Sequence, residues 1–267
     1  MFGLFTNHPQ NLAIAARTLG LSHNGSHGIH GESQGIRVGV RLWTRSSGDD
    51  THHYTTVEAM HPVPLRMSLN ASREGAVGRL LLSALGGQDI QTGYADFDGG
   101  FCVRALDARR AQLLVSQPGV RNAMLMVLGA RRTNLTVTDL SSSITIGGWH
   151  SDVEELRGML NSVHPVAMAL REAQAAIPPS EAELRARESL AGAAAATGLA
   201  FDAQQLEATG RHGRLTVSFY MLYQKDGGWT TVFDVRFPET LGVGLRLLPQ
   251  RGVLSAIGDF FGTQDIE

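Results

Sequence analysis

Three histidines in one short stretch, His23, His27 and His30, carry imidazoles at a spacing that could ligate Zn²⁺ or Ni²⁺. A metal held there with an open coordination position would make the chain a metal-dependent hydrolase, and that is one alternative. The stretch Ser22-His23-Asn24-Gly25-Ser26-His27-Gly28-Ile29-His30-Gly31 is glycine-rich and has no carboxylate before Glu32. A flexible loop preorganises ligands poorly, so an exposed, metal-free loop is the expectation. His61 aligns with Phe237 in the internal repeat described below, and is expected as a buried imidazole.

Arg104, Arg109, Arg110, Arg121, Arg131 and Arg132 concentrate positive charge, with Asp107 the only acid among them. Guanidinium groups in this number could meet phosphates or an acidic partner, so anion or nucleic-acid binding through 104–132 is a second alternative. The aromatic interleaving that single-strand binding uses is missing, and a solvated helix face is the expectation. Gly31-Glu32-Ser33-Gln34-Gly35 fits the nucleophile-elbow spacing, but it leads into a strand, whereas the elbow leads from a strand into a helix. Asp96, Asp98 and Asp107 imitate part of a calcium loop, yet Phe101 stands where glycine is needed, so a turn is expected. Cys102, between Phe101 and Val103, reads as a buried structural thiol. No residue is assigned to catalysis and no cofactor is implied.

Composition narrows the classes. An apolar fraction of 43%, a charged fraction of 18% and a net charge of −2 suit a globular protein without a dedicated nucleic-acid or anionic-membrane surface. Lys225 is the only lysine, and the Arg-, Ala- and Gly-rich usage suggests a bacterial source. One cysteine excludes an internal disulfide. There is no membrane-spanning apolar run and no signal-peptide pattern near Met1, so the cytoplasm is the expected location.

The elements that would position these residues repeat. Leu12–Leu21 reappears as Leu190–Leu199, Thr55-Thr56-Val57 as Thr230-Thr231-Val232, and Gln88-Asp89-Ile90 as Gln264-Asp265-Ile266. Each copy opens with a helix. Asn7 and Gly20 bound the first; Ser180, with Glu183 at capping-box spacing, and Gly198 bound the second. Strands follow: Ile36, Val38, Val40 and Leu42 alternate in one copy, Leu215, Val217, Phe219 and Met221 in the other. Return strands carry Val57, Ala59 and His61 against Phe233, Val235 and Phe237. Third strands carry Leu65, Met67 and Leu69 against Leu241, Val243 and Leu245, before helices near 72–85 and 249–260.

The first copy continues as β-α-α-β-β-α. Asp107 caps a helix over 108–116, Pro118 starts another to about Leu128, and a hairpin spans 135–146. Ser151 and Glu154 cap a long helix over 152–175, with Leu156, Leu160, Val163, Ala167 and Leu170 on one stripe and, because Pro165 lies inside it, a kink or a break expected near His164. The fold class is therefore α+β: duplicated antiparallel-sheet units with helices on one face, arranged A-B-A′ with the second copy truncated. Its parts are residues 1–90, 91–177 and 178–267. Because the second copy stops within a unit, a longer native chain is expected, with apolar surface left near Phe260, Phe261 and Ile266.

Residues 97–160 resemble domains of uncharacterised bacterial proteins, through Phe97-x3-Phe101-x-Val103, Leu113-Leu114, the hairpin at 134–146 and the apolar final helix. The resemblance implies no activity and no site residues. The functional expectation is a non-enzymatic interaction or structural module, with an unknown protein partner or self-association. Nucleic acid is not an expected partner.

Overall fold

The structure is a computed structural model that describes residues 8–24, 28–48, 50–73, 89–129, 134–223 and 228–238. Among the described residues the protein is α+β and both of its sheets are antiparallel. The first part carries helix α1 (His8–Leu19) and strands β1 (Ser22–His23), β2 (Gly28–Ser33), β3 (Ile36–Ser47), β4 (Asp50–Met60) and β5 (Asn70–Ser72). It continues with α2 (Ala95–Gly100), β6 (Cys102–Arg104), α3 (Ala108–Val115), α4 (Pro118–Leu128), β7 (Asn134–Thr138), β8 (Ser141–Gly147) and α5 (Val153–Ala175). The last part is α6 (Glu181–Thr197), β9 (Ala200–Asp202), β10 (Glu207–His212), β11 (Leu215–Tyr223) and β12 (Trp229–Arg236). Among the described residues no helix is long and apolar enough to cross a membrane.

Eight strands form one sheet in the order β1-β2-β3-β4-β8-β7-β5-β6, and four form another, β12-β11-β10-β9. Strands from residues 22–72 and 102–147 interleave, because β4 pairs with β8 and β5 with β7 and β6. Residue 90 is therefore no boundary between sheets. Burial follows the sequence period on β3, where Ile36, Val38, Val40 and Leu42 are buried and Arg37 and Arg41 exposed. The stripe expected on α5 is buried along its whole length. Of the kink or break expected near His164, the break does not occur: α5 runs unbroken through Pro165, and its many apolar contacts outweigh one missing backbone donor.

Local expectations needed correction in four places. The glycine-rich histidine stretch is not a loop throughout; it supplies β1 and β2. Gly31 is there for close approach, since a Cβ on it would lie 2.7 Å from Cδ2 of Leu21. Asp152, not Ser151, caps α5, accepting from the amides of Glu154 and Glu155, while Ser151 bonds the His8 ring at 3.1 Å. Asp96 and Asp98 lie in the helix α2, where Asp98 ties down Thr92 and Gly93, and not in a simple turn.

The fourth correction matters most. Leu65, Met67 and Leu69 are buried, as their alternation implies, but they form no strand. Arg66 and Ser68 between them adopt left-handed backbone at φ +55° and +52°. The carboxylate of Asp139 holds this shape by accepting the amides of Met67, Ser68 and Leu69 at 2.8–3.2 Å. Residues 74–85 of the first expected second-helix, the strand at 241–245, the helix at 249–260, and Phe260, Phe261 and Ile266 lie outside the described residues.

His61 sits where the core expectation put it. Its ring bonds Ser142 Oγ at 2.9 Å through Nε2 and the Asp139 carbonyl at 3.3 Å through Nδ1. The pair is sealed, with His61 6% and Ser142 0% exposed. Burial lowers the imidazole pKa from 6.5 to about 4. The folded ring therefore stays neutral where the unfolded chain already takes up a proton. The stabilisation is complete above about pH 6.5, drains as pH falls, and levels off below about pH 4. Linkage puts the loss at about 3 kcal/mol across that window. Urea titrations between pH 7 and 4 should show it, and His61→Gln should flatten the pH slope by close to one proton. An unchanged slope in that variant would refute the assignment.

Candidate functional site

A cleft of about 930 Å³ lined by described residues lies between the two sheets. Pockets of this size commonly take small ligands. Leu69, Asn70 and the β7–β8 turn, with Asp139 and Leu140, form one side. Glu207, Tyr220, Leu222, Tyr223 and Arg236 from the smaller sheet form the other, and Arg37 and Pro64 also line it. Arg37 is exposed and makes no ion pair among the described residues. Arg236 bonds Asp234 at 2.9 Å and remains 77% exposed. Leu140 and Leu222 expose apolar side chains, at 55% and 44%. The Tyr223 hydroxyl bonds Ser68. Burial pushes its pKa up, helped by the Asp139 and Asp107 carboxylates, against the Ser68 bond and Arg110.

A buried ion cluster holds the two sides together. Glu183, in the first turn of α6, is 3% exposed. Its carboxylate accepts from Arg66 Nη1 at 3.2 Å, Arg110 Nη2 at 3.2 Å and Arg187 Nη2 at 2.7 Å. Arg110 also donates to the Arg66 carbonyl at 3.3 Å and lies 3.8 Å from Asp107. Arg66 donates further to the Gln204 carbonyl, and Gln205 to that of Pro62. Burial pulls the Arg66 pKa below its ordinary value, with Glu183 acting in the opposite direction. Four of these links, Arg66–Glu183, Arg110–Glu183, Arg66–Gln204 and Gln205–Pro62, join residues 62–110 to residues 183–205, so the cleft's shape depends on them.

The residues singled out by sequence are scattered. Ser22 pairs with His30 and His23 with Ile29, so His23 and His30 leave opposite faces of the β1–β2 ribbon. His27 lies outside the described residues, and among those described no group of three His, Cys, Asp or Glu is placed to hold a metal. Arg110 is buried on Glu183, Arg121 stacks over the Tyr94 ring at 3.6 Å, Arg109 is exposed on α3, and Arg104 lies on β6. Arg131 and Arg132 lie outside the described residues. Ser33 ends β2 ahead of the Gln34-Gly35 hairpin turn, φ +52° and +77°, so it sits on no elbow. Cys102 is buried, 4% exposed.

Sequence reasoning missed Arg37, Arg66, Asp139, Glu183, Tyr223 and Arg236. The one signal available was Glu183 three residues after Ser180, read as a capping box. Half of that box forms: Ser180 Oγ accepts the Glu183 amide at 3.2 Å, while the Glu183 carboxylate turns to the arginines. No family model, curated protein or solved structure matches this chain.

Replacing Glu183 with Gln should cost about 3–5 kcal/mol of stability, because it leaves the buried Arg66 guanidinium without a counter-charge and Arg110 with only Asp107, 3.8 Å away. Denaturant unfolding of the full chain measures this. A loss under about 1 kcal/mol would show that the cluster does not hold the sheets together.

Proposed function

We propose that the chain is a non-enzymatic binding module of the bacterial cytoplasm, and that its ligand is a small amphipathic molecule or peptide segment carrying an acidic group. One observation carries the reading: the cleft between the sheets sets exposed leucines beside two arginines that have capacity to spare. Leu140 and Leu222 suit an apolar body, and Arg37 and Arg236 suit a carboxylate or sulfonate. The nearest serine–histidine pair, Ser142 and His61, is sealed in the core, which favours binding over turnover.

The probe is 1-anilinonaphthalene-8-sulfonate, an aromatic body with one anionic group. It should bind saturably, one per chain. Arg37→Glu and Leu222→Asp should each weaken binding by about tenfold or more, a loss of about 1.4 kcal/mol. Binding that is unsaturable, or equal in both variants, would remove support for the cleft.

We further propose that residues 8–60 and 181–236 are two copies of one duplicated helix-and-meander unit. What supports this is a shared packing device as well as the shared element order. Gly20 and Gly198 both end their helices at φ +70°. The following leucine amides return to Ala16 and Ala194, at 2.7 and 3.0 Å. Each leucine then covers a strand glycine: a Cβ on Gly31 would lie 2.7 Å from Leu21, and one on Gly210 2.5 Å from Leu199. Valine at either glycine should therefore destabilise by a similar amount, about 1–3 kcal/mol. Thermal denaturation that finds one site sensitive and the other tolerant would argue against a common plan.

A further inference from the structure

β12 is an outer strand of the smaller sheet, paired only with β11 among the described residues. Exposed edges are ordinarily blunted by lysine, proline or a bulge. Residues 229–236 contain neither lysine nor proline, and their only charges are Asp234 and Arg236. Phe233 and Phe237 are 66% and 45% exposed. The sequence Phe233-Asp234-Val235-Arg236-Phe237 is complementary to its own reverse.

We infer that this edge pairs antiparallel with the same edge of a second copy of the chain, about a two-fold axis at Val235. In that register Val235 faces its own counterpart. Asp234 faces the second copy's Arg236, and Phe233 faces the second copy's Phe237. Opposed residues share a face, so Phe233, Val235 and Phe237 of both chains make an apolar ladder on one side. On the other side the two Asp234–Arg236 pairs, now 2.9 Å within each chain, close into a ring of four alternating charges. The isologous contact is closed and self-limiting, which separates it from open edge aggregation.

The first unit supplies a precedent for strand addition here. β4 holds the same place after its helix as β12 does, and its outer edge is taken by β8, antiparallel, from Tyr54 opposite Gly147 to Met60 opposite Ser141. The second unit has the matching edge without such a strand among the described residues. The contact is short, so the dimer should dissociate in the micromolar range.

Sedimentation equilibrium of the full chain, from low micromolar to near-millimolar concentration, tests this with charge-swap variants. The unaltered chain should show a monomer–dimer equilibrium. Asp234→Arg and Arg236→Asp should each weaken dimerisation by at least tenfold, and the double swap D234R/R236D should restore it. Circular dichroism identifies any variant that fails to fold. As an independent check, Val235→Cys should form a symmetric intermolecular disulfide under mild oxidation, since Cys102 is buried. A chain that stays monomeric throughout, or a dimer indifferent to both single swaps, overturns the proposal; the first result would leave the edge to a strand from another protein.

Discussion

The Glu183 carboxylate is the interaction on which the two-sheet arrangement rests. Arg66 belongs to the irregular segment after β4, Arg110 to α3, and Glu183 to the first turn of α6. Among the described residues no apolar cluster joins these parts to the same degree: one large core spans residues 12–177, and a small separate one gathers Ala186, Leu190 and Leu206. Apolar contact between sheets of this kind would be weakly oriented. A carboxylate shared by two guanidinium forks fixes both distance and angle, which suits arginine's planar donors better than lysine's point charge. Desolvation offsets much of the attraction in a buried cluster, so its clearest contribution is geometric: it fixes how residues 62–110 meet α6.

Arg66 reaches Glu183 only because its own segment is bent. A strand over Leu65–Leu69 would put Arg66 on a regular pleat. Instead Asp139 gathers three consecutive amides and holds Arg66 and Ser68 left-handed, at a cost of order 1–3 kcal/mol for each residue. The same segment places Ser68 and Leu69 in the lining of the cleft. One aspartate in a hairpin turn thus sets both the ion cluster and a wall of the candidate site. Gln174 on α5 adds a further tie, donating to the Pro64 carbonyl at 2.8 Å.

Much of the fold was legible because its determinants are local. The β3 alternation, the caps at Asp107 and Ser180, and the apolar stripe on α5 each depend on residues within a few positions of one another. The site was not legible, because its bonds join residues far apart in sequence. Nothing near Asp139 indicates that it will bind amides at 67–69, and nothing near Glu183 names Arg66. Alternation at 65–69 correctly marked which side chains are buried, but burial with a period of two does not require ladder hydrogen bonds. The glycine-rich stretch misled for a related reason. Glycine there answers to close packing by Leu21, a contact invisible in composition.

The arginine concentration over 104–132 shows how an internal counter-ion changes the meaning of charge. Read along the chain, Arg110 looks like part of an unpaired basic patch. In space its anion is Glu183, supplied by another part of the same chain. Three guanidiniums against one carboxylate would leave the cluster with excess positive charge in a poorly solvated place. Two features relieve it. Arg187 is 35% exposed, so water shares its charge, and Asp107 adds a second carboxylate 3.8 Å from Arg110. The arrangement therefore orients the arginines on a carboxylate supplied by the same chain. That leaves Arg37 and Arg236, at the cleft and outside the cluster, as the guanidiniums with donors to offer a ligand.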